Sequence, residues 1–93
     1  MAQHLKLLFY DYVEDIVERR APFRPAHLGL IEEWVADGRA VAGGATGDPP
    51  SGALIIFRET GDPEEWVRID PYVTEGLVTS WRVESWLNVT GDL

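Results

Sequence analysis

The pattern of hydrophobic and polar positions predicts four strands and two main helices. Residues 4–13, HLKLLFYDYV, are rich in aliphatic and aromatic side chains and predict the first strand. The next segment, 14–23, is charged and then broken by a proline, which predicts a short helical turn and a loop. The first long helix is predicted from about Pro25 to Asp37, where Gly38 supplies a left-handed stop.

The second half of the chain repeats this order. Residues 39–47 and 53–59 predict two strands that form a hairpin around DPPSG, a stretch dense in turn-forming residues. Asp62 precedes a proline and predicts the cap of a second helix. Pro71 ends that helix, because a residue before proline avoids helical geometry, and YVTEG adds about one more turn. Residues 77–89 predict the fourth strand.

The predicted order is β-α-β-β-α-β over one domain of residues 1–93. Right-handed crossovers place both helices on the same side of a four-stranded antiparallel sheet. The sequence therefore predicts an α+β protomer with a ferredoxin-like fold.

The face of the sheet away from the helices is predicted to be apolar. A face exposed to water normally carries polar residues that alternate with the buried apolar ones. The first and third strands instead carry apolar side chains on both faces: Leu7 and Phe9 oppose Leu8 and Tyr10, and Leu54 and Ile56 oppose Ile55 and Phe57. Soluble monomers rarely expose so large an apolar patch. A homodimer that pairs these faces into an α+β barrel is expected; the alternative is a monomer with a ligand groove.

Composition excludes several classes of function. Acidic residues outnumber basic ones by 16 to 8, which argues against nucleic-acid partners and anionic membrane surfaces. No stretch approaches the roughly 20 apolar residues of a membrane span, and the N-terminus does not resemble a signal peptide. The absence of cysteine excludes disulfides and thiolate chemistry, and it fits a cytoplasmic protein.

His27 is the first candidate for chemistry. On a helical wheel it lies in the centre of the apolar arc formed by Leu30, Ile31 and Trp34, so it points at the sheet. A buried imidazole needs hydrogen-bond partners, and a structural histidine satisfied by a backbone carbonyl is one interpretation. The other is a general base, since the first turn of a helix favours a neutral imidazole.

A histidine base usually needs a carboxylate that orients it, and Asp70 is the candidate. Asp70 is equally well explained as the cap of the turn that begins at Pro71. Arg24 is a candidate for pairing with an anionic substrate, or else a solvated surface residue. Tyr10 and Tyr72 are candidate substrate-binding wall residues, or simply core. No metal site or cofactor is expected, because a catalytic zinc needs three protein ligands and no glycine-rich phosphate loop precedes a helix.

Two segments, RPAHLGLIEEWVADGRAVAGG and DPYVTEGLVTSWRVESW, resemble the YciI-like (YCII-related) family. The resemblance rests on Arg24, Pro25, His27 and Leu28, on Gly38 and Arg39, and on Asp70, Pro71, Tyr72 and Gly76. It implies a dimeric α+β barrel, an active site built on His27 and Asp70, and lyase or dehydrochlorinase chemistry on small hydroxylated aromatics. Where family members tend to have Gly-Ser before the third strand, this chain has Ser51 followed by Gly52, so no role is assigned to Ser51.

The sequence thus predicts a small cofactor-free enzyme that uses His27 and Asp70 to abstract a proton from a small aromatic or anionic metabolite. A non-catalytic module that binds a small molecule, or accompanies a larger enzyme, is the alternative. A cofactor-independent oxygenase is a third interpretation, since related barrels are used for that chemistry. Contact between His27 and Asp70 discriminates between catalysis and mere binding, because only a catalytic pair requires it.

Overall fold

The computed structural model describes residues 2–93. Its elements in chain order are β1 (Gln3–Tyr12), α1 (Ile16–Arg19), α2 (Arg24–Ala36), β2 (Ala40–Thr46), β3 (Gly52–Arg58), α3 (Pro63–Ile69), α4 (Pro71–Thr74) and β4 (Val78–Asn88). No helix in this part of the chain is long and apolar enough to cross a membrane.

The four strands form one antiparallel sheet in the order β2-β3-β1-β4. The two central strands, β1 and β3, pair so that Leu8 lies opposite Ile55. This is the predicted ferredoxin-like arrangement, and the fold class is confirmed. Both central strands therefore have a hydrogen-bonded neighbour on each side, and the helices cover one of their two faces.

The main core lies between the helices and one face of the sheet. Trp34 of α2 and Trp66 of α3 meet edge to face, with ring centroids 5.3 Å apart. Phe57 of β3 packs on Trp34 at 5.8 Å and on Trp66 at 6.1 Å. Each of the three side chains is at most 1% exposed. Because large aromatic rings bury the most area per residue, this cluster locks both helices onto the sheet.

The ends of the helices follow the local sequence. Gly38, with φ of +84°, lies just beyond the end of α2, in a conformation that side chains disfavour. The Asp62 side chain caps α3 by accepting from the Glu64 amide at 2.9 Å. Asp70 is extended (φ −67°, ψ 120°) because Pro71 follows it, so the chain breaks there into α3 and α4.

The sheet face opposite the helices carries apolar side chains, as predicted. We call Leu7, Phe9, Leu54, Ile56 and Trp86 the open-face cluster; all five are partly or well exposed. The Arg82 guanidinium lies over the Phe9 ring, 4.1 Å from its centroid. The edge strand β4 also extends beyond the helix layer, since Trp81 and Leu87 on its helix-facing side are 43% and 47% exposed.

Candidate active site

Asp70 occupies the break between α3 and α4, where its carboxylate is fully buried. Its Oδ1 accepts from the backbone amide of Tyr72 at 3.1 Å, which is the capping contact predicted for an Asp-Pro step. A buried carboxylate needs several hydrogen-bond donors to remain charged. Capping supplies only one of them, so the remaining donors must come from elsewhere in the fold.

The first of these donors is His27, in the opening turn of α2. Its backbone amide donates to the Phe23 carbonyl at 3.0 Å, and its side chain is buried, pointing inward as the helical wheel predicted. His27 Nδ1 lies 2.7 Å from Asp70 Oδ1. The two residues are 43 positions apart in sequence and meet because α2 packs against α4.

This contact determines which imidazole nitrogen is free. A carboxylate only accepts hydrogen bonds, so the proton in the His27–Asp70 contact lies on Nδ1. In a neutral ring, Nε2 is then the acceptor. Within residues 2–93, His27 makes its only side-chain hydrogen bond through Nδ1, and its ring lines a cavity. The unprotonated nitrogen is thus the one available to a ligand.

Two further residues support Asp70 from behind. The Tyr10 hydroxyl donates to Asp70 Oδ2 at 2.6 Å, and Trp66 Nε1 donates to the Tyr10 oxygen at 2.9 Å. Burial, and then the negative charge of Asp70, raises the pKa of Tyr10 far above its usual value. Tyr10 therefore keeps its proton and acts as a donor, and Asp70 accepts from three groups.

Aromatic rings hold the imidazole in place. The Tyr72 ring lies parallel to the His27 ring, with centroids 3.7 Å apart and planes within 4°. Trp66 approaches His27 edge-on at 6.2 Å. With one ring on its face and another at its side, the imidazole can turn little about its Cβ–Cγ bond. Its Nε2 is therefore held in one direction.

The cavity beside His27 has a volume of about 220 Å³ and lies between the start of α2 and the sheet. Small residues leave this space open: Gly43, Ala45 and Ala53 line it from the helix-facing side of β2 and β3. A Cβ at Gly43 would lie 3.3 Å from the Ile55 side chain and 3.5 Å from that of Ile31, which also line the cavity. The volume suits a ligand smaller than a typical drug molecule.

Two cations and two phenols also line the cavity. Arg20, Arg24, Tyr12 and Tyr72 all border the cavity. Burial raises the pKa of Tyr72, and the positive charges of Arg20 and Arg24 oppose that rise. Burial is also the main reason that the pKa of Tyr12 is raised, again against the effect of the same two arginines. The positive charges of both guanidinium groups therefore extend into the space that a ligand would fill.

The arrangement of fold and site can be compared with known proteins. The family model of the YCII-related domain matches residues 5–87. The chain belongs to the YCII-related family. The resemblance predicted from the segments around His27 and Asp70 is thereby confirmed.

A solved structure supports the same relationship. This YCII-related chain superimposes with a TM-score of 0.71 on 5-chloro-2-hydroxyhydroquinone dehydrochlorinase (TftG) from Burkholderia phenoliruptrix AC1100, in complex with 2,5-dihydroxybenzoquinone. The two sequences are 25% identical, and the match covers 88% of this chain and 92% of that chain. No curated protein matches the chain significantly.

The YCII-related fold brings together most of the residues that sequence reasoning selected. His27, Arg24 and Tyr72 line one cavity, and Asp70 lies directly behind His27. Tyr10, predicted as either a wall residue or core, is a core residue and does not line this cavity. It lies behind Asp70, because β1 points its side chain under the turn between α3 and α4.

Three residues of the site were missed. Tyr12 follows Tyr10 by two positions on β1, so strand alternation already placed it on the same face. Trp66 lies in the second predicted helix and was not selected as a site residue, although a buried indole N–H usually requires a partner. Arg20 lies just after α1 in the connection to α2, and no periodic pattern of the sequence marks it.

Proposed function

We propose that this YCII-related protein is a cofactor-free enzyme in which His27 takes a proton from a small hydroxylated ring compound. The observation that carries the proposal is the 2.7 Å contact between His27 Nδ1 and Asp70 Oδ1, with the other ring nitrogen left to the cavity. A module that only binds a ligand has no need for a buried carboxylate at this nitrogen. Direct contact therefore favours catalysis over the binding or accessory alternative.

The proposed step is a proton transfer to His27 Nε2. The O–H or C–H bond of the substrate breaks, its electron pair stays on the substrate, and an N–H bond forms on the imidazole. Asp70 holds the Nδ1–H tautomer beforehand and stabilises the imidazolium afterwards. The Tyr10 hydroxyl and the Tyr72 amide keep the carboxylate in position. Arg24 at the cavity would pair with the negative charge that develops on the substrate.

The similarity to TftG supports a lyase-type reaction. That protein is a dehydrochlorinase of a chlorinated hydroxyhydroquinone. In the reaction class that we propose here, proton removal yields an enolate, which expels an anionic leaving group from a neighbouring carbon. Such a reaction needs a base and a positive group that stabilises the enolate, and it needs no oxidant. His27 would be the base, and Arg24 would stabilise the enolate.

We further propose that the protein is a cytoplasmic homodimer that pairs through the open-face cluster. Its five apolar side chains lie together on one side of the sheet, which soluble monomers avoid exposing. A second copy presents the same surface, so a two-fold axis can bury both at once. The absence of cysteine fits a reducing compartment.

Turnover of 5-chloro-2-hydroxyhydroquinone and related halogenated hydroquinones, measured as halide release, tests the enzymatic proposal. His27→Gln is expected to lower kcat by about 10²–10⁴-fold, the usual contribution of a positioned base. His4→Gln, which changes the other histidine on an exposed position of β1, is the matched control and should keep full activity. Equal activity of His27→Gln and wild type would contradict the proposal. Oxygen uptake during turnover would favour the oxygenase interpretation instead.

A further inference from the structure

Two unpaired arginines border the same cavity in an acidic protein. Within residues 2–93, no carboxylate lies within ion-pair distance of Arg20 or Arg24. Three of the other five arginines pair with a carboxylate, among them Arg19 with Asp15 at 3.7 Å and Arg39 with Asp37 at 2.7 Å, whereas Arg58 and Arg68, outside the cavity, form no ion pair within residues 2–93. The chain has 16 acidic residues and only 8 basic ones, so acidic partners are plentiful. The cavity is thus bordered by positive charge, although the net charge of the chain is negative.

Two like charges facing one small space repel each other, and an anion between them removes that repulsion. Arg20 is half-buried, so its guanidinium is less screened by water than one on an open surface. The nearby phenols of Tyr12 and Tyr72 have raised pKa values and therefore remain neutral hydrogen-bond donors. The two guanidinium groups and the two phenol hydroxyls can each donate a hydrogen bond to a negatively charged oxygen.

The other parts of the cavity limit the shape of the ligand. Gly43, Ala45 and Ala53 form a wall with no side chain larger than a methyl group, and a flat ring can lie against such a surface. His27 borders the same space. A ring bound between the arginines and the imidazole would therefore place one substituent beside the arginines and another beside His27. The small volume of about 220 Å³ leaves little room for a chain or a second ring.

We propose that Arg20 and Arg24 form an anion-binding end of the cavity, which selects a small planar ring that already carries one ionised hydroxyl. Such a ring enters as an enolate or phenolate, and its second acidic proton lies within reach of His27. This inference rests on the proposed function, whose substrate class it narrows. It adds Arg20 as a specificity-determining residue.

Binding of 2,5-dihydroxybenzoquinone, a vinylogous acid that is ionised at neutral pH, tests the inference by titration calorimetry. Arg20→Gln and Arg24→Gln are each expected to raise Kd about tenfold, the scale of a lost charge-assisted hydrogen bond. Arg19→Gln, next to Arg20 but paired with Asp15 and outside the cavity, is the control and should bind like wild type. Hydroquinone, which is neutral at this pH, should bind equally to all four proteins or to none.

Salt supplies a second readout. Raising ionic strength should weaken binding of the ionised ring to wild type and do so less in Arg20→Gln, because one screened charge is gone. Wild-type affinity in Arg20→Gln, or no binding of the ionised ring to wild type, would overturn the inference.

His27→Gln separates this inference from the proposed function. Loss of turnover in His27→Gln, with unchanged binding in Arg20→Gln, refutes only the anion site. Full turnover in His27→Gln, with weakened binding in Arg20→Gln, refutes only the base and leaves the anion site standing.

Discussion

The His27 imidazole lies flat against the Tyr72 ring, with centroids 3.7 Å apart. The two residues come from different helices, α2 and α4, and the same turn that carries Tyr72 also carries Asp70. One short segment therefore supplies both the hydrogen bond and the stacking surface that orient the imidazole. The direction of Nε2 depends on both contacts.

Tyr72→Phe and Tyr72→Ala separate the ring from its hydroxyl. Tyr72→Phe keeps the ring that stacks on His27. Because the Tyr72 hydroxyl has no hydrogen-bond partner within residues 2–93, its removal should change the free energy of unfolding by less than about 1 kcal/mol. Tyr72→Ala removes the ring from a buried site, and should cost about 3–5 kcal/mol and lower kcat as the imidazole loosens. Urea unfolding and steady-state kinetics measure the two effects. Similar kcat values for both variants would show that the stack does not position His27.

Asp70 and Asp62 form a matched pair, because each caps a short helix that begins with proline. Asp62 is exposed and makes only a capping contact, so Asp62→Ala should lose about 0.5–2 kcal/mol of unfolding free energy. Asp70→Ala also leaves Tyr10 and His27 without their buried partner, and should cost about 3–5 kcal/mol. Chemical denaturation of both variants compares the costs. Equal losses would mean that Asp70 is no more than a cap.

The buried Tyr10 hydroxyl predicts a dependence of stability on alkaline pH. Its pKa is raised in the folded protein, mainly by burial, so the folded chain keeps a proton that the unfolded chain releases above about pH 10. The associated stability is present below that pH and is lost as pH rises, by about 1.4 kcal/mol per pH unit for one proton. Tyr10→Phe has no such proton, while Tyr12 and Tyr72 remain in both proteins. Unfolding free energies from pH 9 to 11 should fall more steeply for wild type; parallel curves would contradict the burial of an un-ionised Tyr10.

The open-face cluster predicts the oligomeric state. Leu54→Asp and Ile56→Asp place a charge in the middle of the proposed interface and should convert a dimer into monomers, because an unpaired charge is costly to bury. Val35→Asp changes a residue of α2 that is 40% exposed on the opposite layer, and should leave the dimer intact. Light scattering coupled to size-exclusion chromatography gives the masses. A wild-type monomer would refute the proposed pairing.

Much of this architecture could be predicted from local sequence. Strand alternation placed Leu8 and Tyr10 on one face, the helical wheel turned His27 inward, and the Asp-Pro step at residue 70 indicated a cap. These features depend on neighbours within one turn or one strand. The Tyr10–Asp70 hydrogen bond could not be predicted, since it depends on where the α3–α4 break lies over the sheet. Arg20 was missed because the path of a loop, with no periodicity, brings it to the cavity.

The protonation state of His27 tests the central claim most directly. Long-range proton–nitrogen NMR spectra of the histidine side chains, recorded on wild type at a pH where the imidazoles are neutral, report which ring nitrogen carries the proton. We expect His27 to carry it on Nδ1, with Nε2 unprotonated and its resonance shifting when 2,5-dihydroxybenzoquinone is added, while His4 does not respond. Asp70→Asn should abolish the preference for the Nδ1 proton, since an amide oxygen or nitrogen can face the ring. A wild-type His27 with its proton on Nε2 and a bare Nδ1 would contradict the account.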